Sequence, residues 1–346
     1  MLKFFKTSII ITVMTLVGAF FLGSNLSGGW AGGFQAVFIC SILAVLEISL
    51  SFDNAVVNAI KLKKMSPLWR HRFLTWGILI AVFGMRFLFP LIIVSLVGHM
   101  NPWDAFALAL NSPTQYAEIM LSSHLSISAF GGIFLFMVFL KFFININKEE
   151  HWIDVIERPL SLLGHLEAIE ITLGLILLSV LSSWVPKAEQ SHFLFAGIIG
   201  IITYLSVEAL GDWLEKYGIK QGDLRKADWG IFLYLEVLDA SFSFDGVVGA
   251  FAITENLFFI LMGLMIGAMF VRSLTVFFVE KSILDGFKYL EHGAFYAVGS
   301  LSLSMLVEPF YPIPEWITGV SGAIIIGLSV GSSFTQNCKK TSKKYK

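Results

Sequence analysis

Cysteine is nearly absent from this chain: two residues in 346, Cys40 and Cys338. One falls inside a long apolar run and the other in a basic tail, so no disulfide framework can form. Charge is scarce as well, with Asp, Glu, Lys and Arg making up 14% of the chain and a net charge of −1. That balance gives no footprint for nucleic acid, and the short basic run Lys339–Lys346 does not supply one. Zinc-ligand spacings, a phosphate-binding glycine loop and a nucleophile elbow are all missing. No nucleophile–base pair is visible either, so an enzyme is not expected. Strict apolar–polar alternation is lacking, which excludes a membrane β-barrel.

What is abundant is apolar surface. Hydrophobic residues make up 56% of the chain, with 33 Phe among them. Ten continuous apolar stretches approach or exceed the ~20 residues that a membrane-spanning helix needs. They fall near 8–26, 34–60, 73–97, 126–144, 166–186, 192–210, 230–253, 257–279, 293–309 and 315–333. The expected fold is therefore all-α, a polytopic helical bundle of about ten spans. The first stretch follows Lys3 and Lys6 but has no small-residue cleavage site after it, so it reads as a span and not a signal peptide.

Basic residues are distributed one-sidedly. Of the 24 Lys and Arg, 21 fall in the termini and in alternate connections, Arg86 and Arg272 fall inside spans, and only Lys187 is left for the other side. This asymmetry predicts an inner (plasma) membrane protein with both termini cytoplasmic. The connection 98–125, on the outer side, holds Asn101-Pro102 and Asn111-Ser112-Pro113 and reads as turns with a short helix.

Two of the expected spans carry acids in nearly the same words. One reads Glu47-Ile-Ser-Leu-Ser51-Phe-Asp53-Asn54, the other Asp239-Ala-Ser-Phe-Ser243-Phe-Asp245-Gly246. A carboxylate at bilayer depth costs at least about 2.5–3.5 kcal/mol and is by default a functional-site candidate. The motifs lie five spans apart, so their helices cross in opposite directions. The next span repeats too: Gly77, Ala81 and Arg86 have the spacing of Gly263, Gly267 and Arg272. The chain thus divides into 1–33 (first helix and loop), 34–145 (repeat A, spans 2–4), 146–229 (two extra spans), 230–309 (repeat B, spans 7–9) and 310–346 (last span and tail). A 3+3 inverted repeat of this kind builds many secondary transporters, with the site at the repeat interface.

On a helix turning about 100° per residue, Glu47, Ser51, Asn54 and Asn58 form one polar stripe. Glu236, Asp239, Ser243 and Gly246 form another. Asp53 and Asp245 fall off these stripes, so each helix either has a wide polar face or unwinds beside its Asp. Asn54 and Gly246 tolerate unusual backbone angles and favour unwinding. The donors are carboxylate, amide and hydroxyl oxygens without His, Cys or Met, which suits Mn²⁺, Mg²⁺ or Ca²⁺. The candidate metal ligands are Glu47, Asp53, Asn54, Glu236, Asp239 and Asp245. Ser51, Ser243, Arg86 and Arg272 support them. Two arginines against five acids leave acids that must be protonated or bind a cation. Glu167, Glu170, Glu208 and Asp212 lie at helix ends, where a solvated end explains them as well as an ion vestibule does.

The motif around Glu236–Thr254, the matching Leu46–Val56 segment and the Gly-x8-Arg helices after each resemble the signature of TerC-type integral membrane proteins. That family belongs to a broader group of LysE-like exporters with three-plus-three repeats. The resemblance implies efflux of a divalent metal, most often manganese, through a site built from the paired acids, which by matched position comprises Glu47, Asp53 and Asn54 with Asp239 and Asp245. Gly246 departs from the family pattern, as do the two extra central spans. The expected function is proton-coupled export of Mn²⁺, with lipid, protons and the metal as partners and no tightly bound cofactor. The alternative is a non-transport membrane partner that supplies metal to secreted proteins beside the secretion machinery, or confers tellurite or metal-stress resistance.

Overall fold

The computed structural model describes residues 2–344 apart from 27–28, 78, 147, 149, 222–223 and 282–285. Side chains at 2, 74, 215, 217–221, 224–227, 244–245, 315–316 and 337–344 also lie outside the described set. The described residues are helical and contain no strand. In order, the helices are α1 (Leu2–Leu26), α2 (Trp30–Leu50), α3 (Phe52–Leu62), α4 (Pro67–Arg72), α5 (Phe89–Val97), α6 (Pro102–Asn111), α7 (Pro113–Ser122), α8 (His124–Phe143), α9 (Asp154–Leu163), α10 (Ile169–Ser182), α11 (Gln190–Gln221), α12 (Leu224–Ile253), α13 (Leu257–Glu280), α14 (Leu290–Val307) and α15 (Glu315–Lys344). Between α4 and α5 the chain runs as wide π-helical turns over Phe73–Gly77 and Ile80–Leu88.

Seven helical segments among the described residues are long and apolar enough to cross a membrane, and α10 is a shorter apolar helix. The expected spans 230–253 and 293–309 are helical as well, within α12 and α14. Acids dilute the first, and Glu291, His292 and three serines dilute the second. The helices expose apolar side chains outward, among them Val13, Met14, Phe21, Phe34, Phe38 and Val45. An apolar surface of that extent belongs in lipid. Trp30, Trp103, Trp184 and Trp229 are exposed near helix ends, the placement of an interfacial aromatic belt. The chain is a multi-pass integral membrane protein.

At the centre, α2 packs on α13, α8 on α11 and α14, and α14 on α15. Small residues allow the closest approach. A Cβ on Gly263 would stand 2.5 Å from the Leu43 Cβ, and one on Gly267 2.4 Å from the Glu47 Cβ. The connection 98–125 is more ordered than its turn signals imply, since α6 and α7 fill it. Asn101 accepts the Asp104 amide at 3.0 Å as an N-cap, and Pro102 and Pro113 start their helices. Both are favourable first-turn devices.

Candidate functional site

The first motif helix is interrupted where the acids are. Ser51 separates α2 from α3 with φ −98° and ψ 15°. The break is a bend, because Ser51 N still donates to Glu47 O (2.9 Å) and Ala55 N to Ser51 O (3.1 Å). The second motif corrects the expectation of matched unwinding: α12 is one helix through residues 239–246. Gly246 has another use there. It lies against Glu47, whose Oε2 would be 3.1 Å from a Cβ at that position.

The polar stripe of each motif faces the other. Asn54 Nδ2 donates to Asp239 Oδ1 at 2.5 Å, across 185 residues of sequence. The Asn58 side chain also hydrogen-bonds Asp239. Glu47 is buried, accepts from Ser51 Oγ at 3.0 Å and forms an ion pair with Arg86. Arg86 is held in turn by the Ala81 carbonyl at 2.9 Å. Both Arg86 and Ala81 lie on the π-helical segment, a geometry that recurs at functional sites.

These side chains line a partly open cavity of about 50 Å³, to which Glu236 and Arg272 also contribute. That space admits water and small ions. Gly77 is needed at its wall, since a Cβ there would fall 2.5 Å from Glu236 Oε1. Among the described residues, Asn54 Oδ1, Asn58 Oδ1 and Glu236 Oε1 are buried without a hydrogen-bond partner. Buried acceptors left unpaired cost about 1–3 kcal/mol each. Three of them around one cavity call for a donor or a cation.

The structure therefore gathers Glu47, Ser51, Asn54, Glu236, Asp239, Arg86 and Arg272 around one cavity. Asn58 joins them; it lies on the polar stripe read from sequence but was not among the candidate ligands. Asp53 is buried elsewhere. Its Oδ1 accepts the Asn54 amide at 2.9 Å, and its Oδ2 points toward Gly322 of α15. Ser243 is buried with an unpartnered hydroxyl and does not line the cavity. The Asp245 side chain lies outside the described residues. Among the peripheral acids, Glu208 pairs with Lys141 at 2.7 Å, and both line an open cavity of about 370 Å³ with Asp212. Glu167 is exposed at a helix end.

The chain belongs to the family described as protein of unknown function, DUF475, whose model matches residues 52–340. It is also similar to the uncharacterized membrane protein YceF of Bacillus subtilis (strain 168). That relative is 26% identical over 204 residues, covering 47% of this chain and 79% of the relative. No solved structure matches. Neither description names the TerC-type family that the two motifs resemble.

Proposed function

We propose that the protein is a secondary transporter exporting a divalent cation, Mn²⁺ first, in exchange for protons across the inner membrane with both termini cytoplasmic. The observation that carries this reading is the convergence of unpaired oxygens from both acidic motifs on one cavity that admits small ions. Arg86 is engaged by Glu47. Glu236 and Asp239 then offer two negative charges to an ion of charge two, with amide oxygens of Asn54 and Asn58 completing a hard-donor set. Arg272, at the same cavity, offsets one of those two charges when the cation leaves.

Export against the membrane potential needs a driving ion. Each charge moved against 100 mV costs about 2.3 kcal/mol, so a divalent ion costs about 4.6 kcal/mol. Exchange for two protons moves no net charge, and carboxylates can carry protons. The resemblance to TerC-type proteins favours manganese among the hard cations. Flux of Mn²⁺, Mg²⁺ and Ca²⁺ in proteoliposomes, with and without a pH gradient, tests the reading. Mn²⁺ movement that the gradient accelerates is expected. Absence of flux for every divalent ion would overturn it.

A further inference from the structure

The segment joining α8 to α10 is built inside out. In α9 Glu157 points toward the bundle while Val155, Ile156 and Leu162 point away. Glu157 is fully buried. Its Oε1 accepts the amides of Trp152 and Ile153, each at 3.1 Å, and its Oε2 accepts from Lys148 Nζ at 2.9 Å. His151 Nδ1 and His292 Nε2 stand 3.5 and 3.4 Å from the same oxygen. Because His292 belongs to α14, this cluster ties α9 to the bundle. Leu160, one turn on, packs against the main core.

The remaining faces of α9 divide cleanly. Taking Glu157 as zero, Val155, Leu162, Pro159, Leu163 and Ile156 occupy the arc from about 140° to 260°. Val155 is 86% exposed, Leu162 67% and Ile156 46%. Asp154 and Arg158 lie on a narrow edge near about 60–100°, joined by an ion pair at 3.1 Å and both exposed. A helix meant for water turns its apolar side inward and its charges outward. Here the outward medium must be apolar along one broad face and aqueous along one edge. Ile146, Ile153 and Leu166, in the connections that join α9 to the membrane helices α8 and α10, are exposed apolar residues as well.

We propose that α9 lies in the plane of the membrane surface at the end of the bundle bearing the basic connections. Its Val155, Ile156 and Leu162 sit among lipid chains, and Arg158 sits at the level of the headgroup phosphates. The occupant of the exposed face is lipid, continuous with the lipid around α8 and α10, and Glu157 is the protein-side tether. This placement does not depend on whether the protein transports anything.

Spin labels on single cysteines test it in the full chain, reconstituted in phosphatidylcholine–phosphatidylglycerol vesicles. Cys338→Ser removes the tail thiol, and Cys40 is buried. Val155→Cys and Leu162→Cys should be several-fold more accessible to oxygen than to a water-soluble nickel complex. Arg158→Cys should show the reverse. If one outward variant fails to insert, Ile156→Cys carries the same test. Nickel accessibility at 155 and 162 equal to that at 158 would put the face in water and overturn the proposal. Exclusion of both reagents would also overturn it, because the face would then be covered by protein, such as a second copy.

Discussion

Asp239→Asn keeps the shape of the side chain that both Asn54 and Asn58 bond, and removes its charge. With Glu236→Gln it tests the two acids left to a guest once Arg86 has engaged Glu47. Each substitution should weaken Mn²⁺ binding at least tenfold, read by calorimetry on purified protein. Asp53→Asn should leave binding within a few-fold of the parent, because Asp53 points toward α15 and not into the cavity. Equal losses from all three would mean that Asp53 reaches the ion. Arg86 tests a different property. Arg86→Ala leaves Glu47 as an uncompensated buried charge, a loss of about 3–5 kcal/mol that a thermal melt in detergent should show. Arg86→Lys should recover only part of it, since an ammonium cannot hold both Glu47 and the Ala81 carbonyl in the planar fork that Arg uses.

At the scale of elements, the glycines of α13 decide how close that helix comes to the first motif helix, α2. Gly267→Ala would place a Cβ 2.4 Å from both Cβ and Cγ of Glu47. The helices must part or Glu47 must swing off Arg86, so a loss of about 1–3 kcal/mol is expected from overpacking. Gly331→Ala in α15 meets nothing within 4 Å and should be neutral or stabilising by up to about 1 kcal/mol on helix propensity alone. A melting series that ranks the two alike would remove this role from Gly267. The same elements mark how far sequence reading reaches. The stripe Glu47, Ser51, Asn54 needs only helical period, and the structure keeps it. The continuity of α12 was not legible, because Gly246 tolerates unwinding and also allows close approach, and only Glu47 beside it discriminates. Glu157 was not legible either. Its tether depends on His292, and nothing in the spacing of either residue foretells that they meet.

For the whole molecule, the distribution of basic residues and the placement of the cavity make linked demands. The motif helices α2–α3 and α12 meet through Asn54 and Asp239, with α13 and the π-helical segment closing the sides. An inverted repeat brings the two motifs into such a site from opposite directions, so that each half offers the same surface to opposite faces of the membrane. Opposite directions require an even number of crossings between the two motif spans, here the four expected over 73–210, which the one-sided placement of 21 of 24 Lys and Arg supports. Cysteines placed near 110 and 187 should then react with an impermeant reagent from outside intact cells. Cysteines at 64, 216 and 340 should react only after the membrane is opened. Reaction of position 340 from outside, with 64 protected, would put an odd number of crossings between the tail and the first basic connection. That result would remove the inverted relation between the two motifs, and with it the pseudo-symmetric site read from their matching sequences.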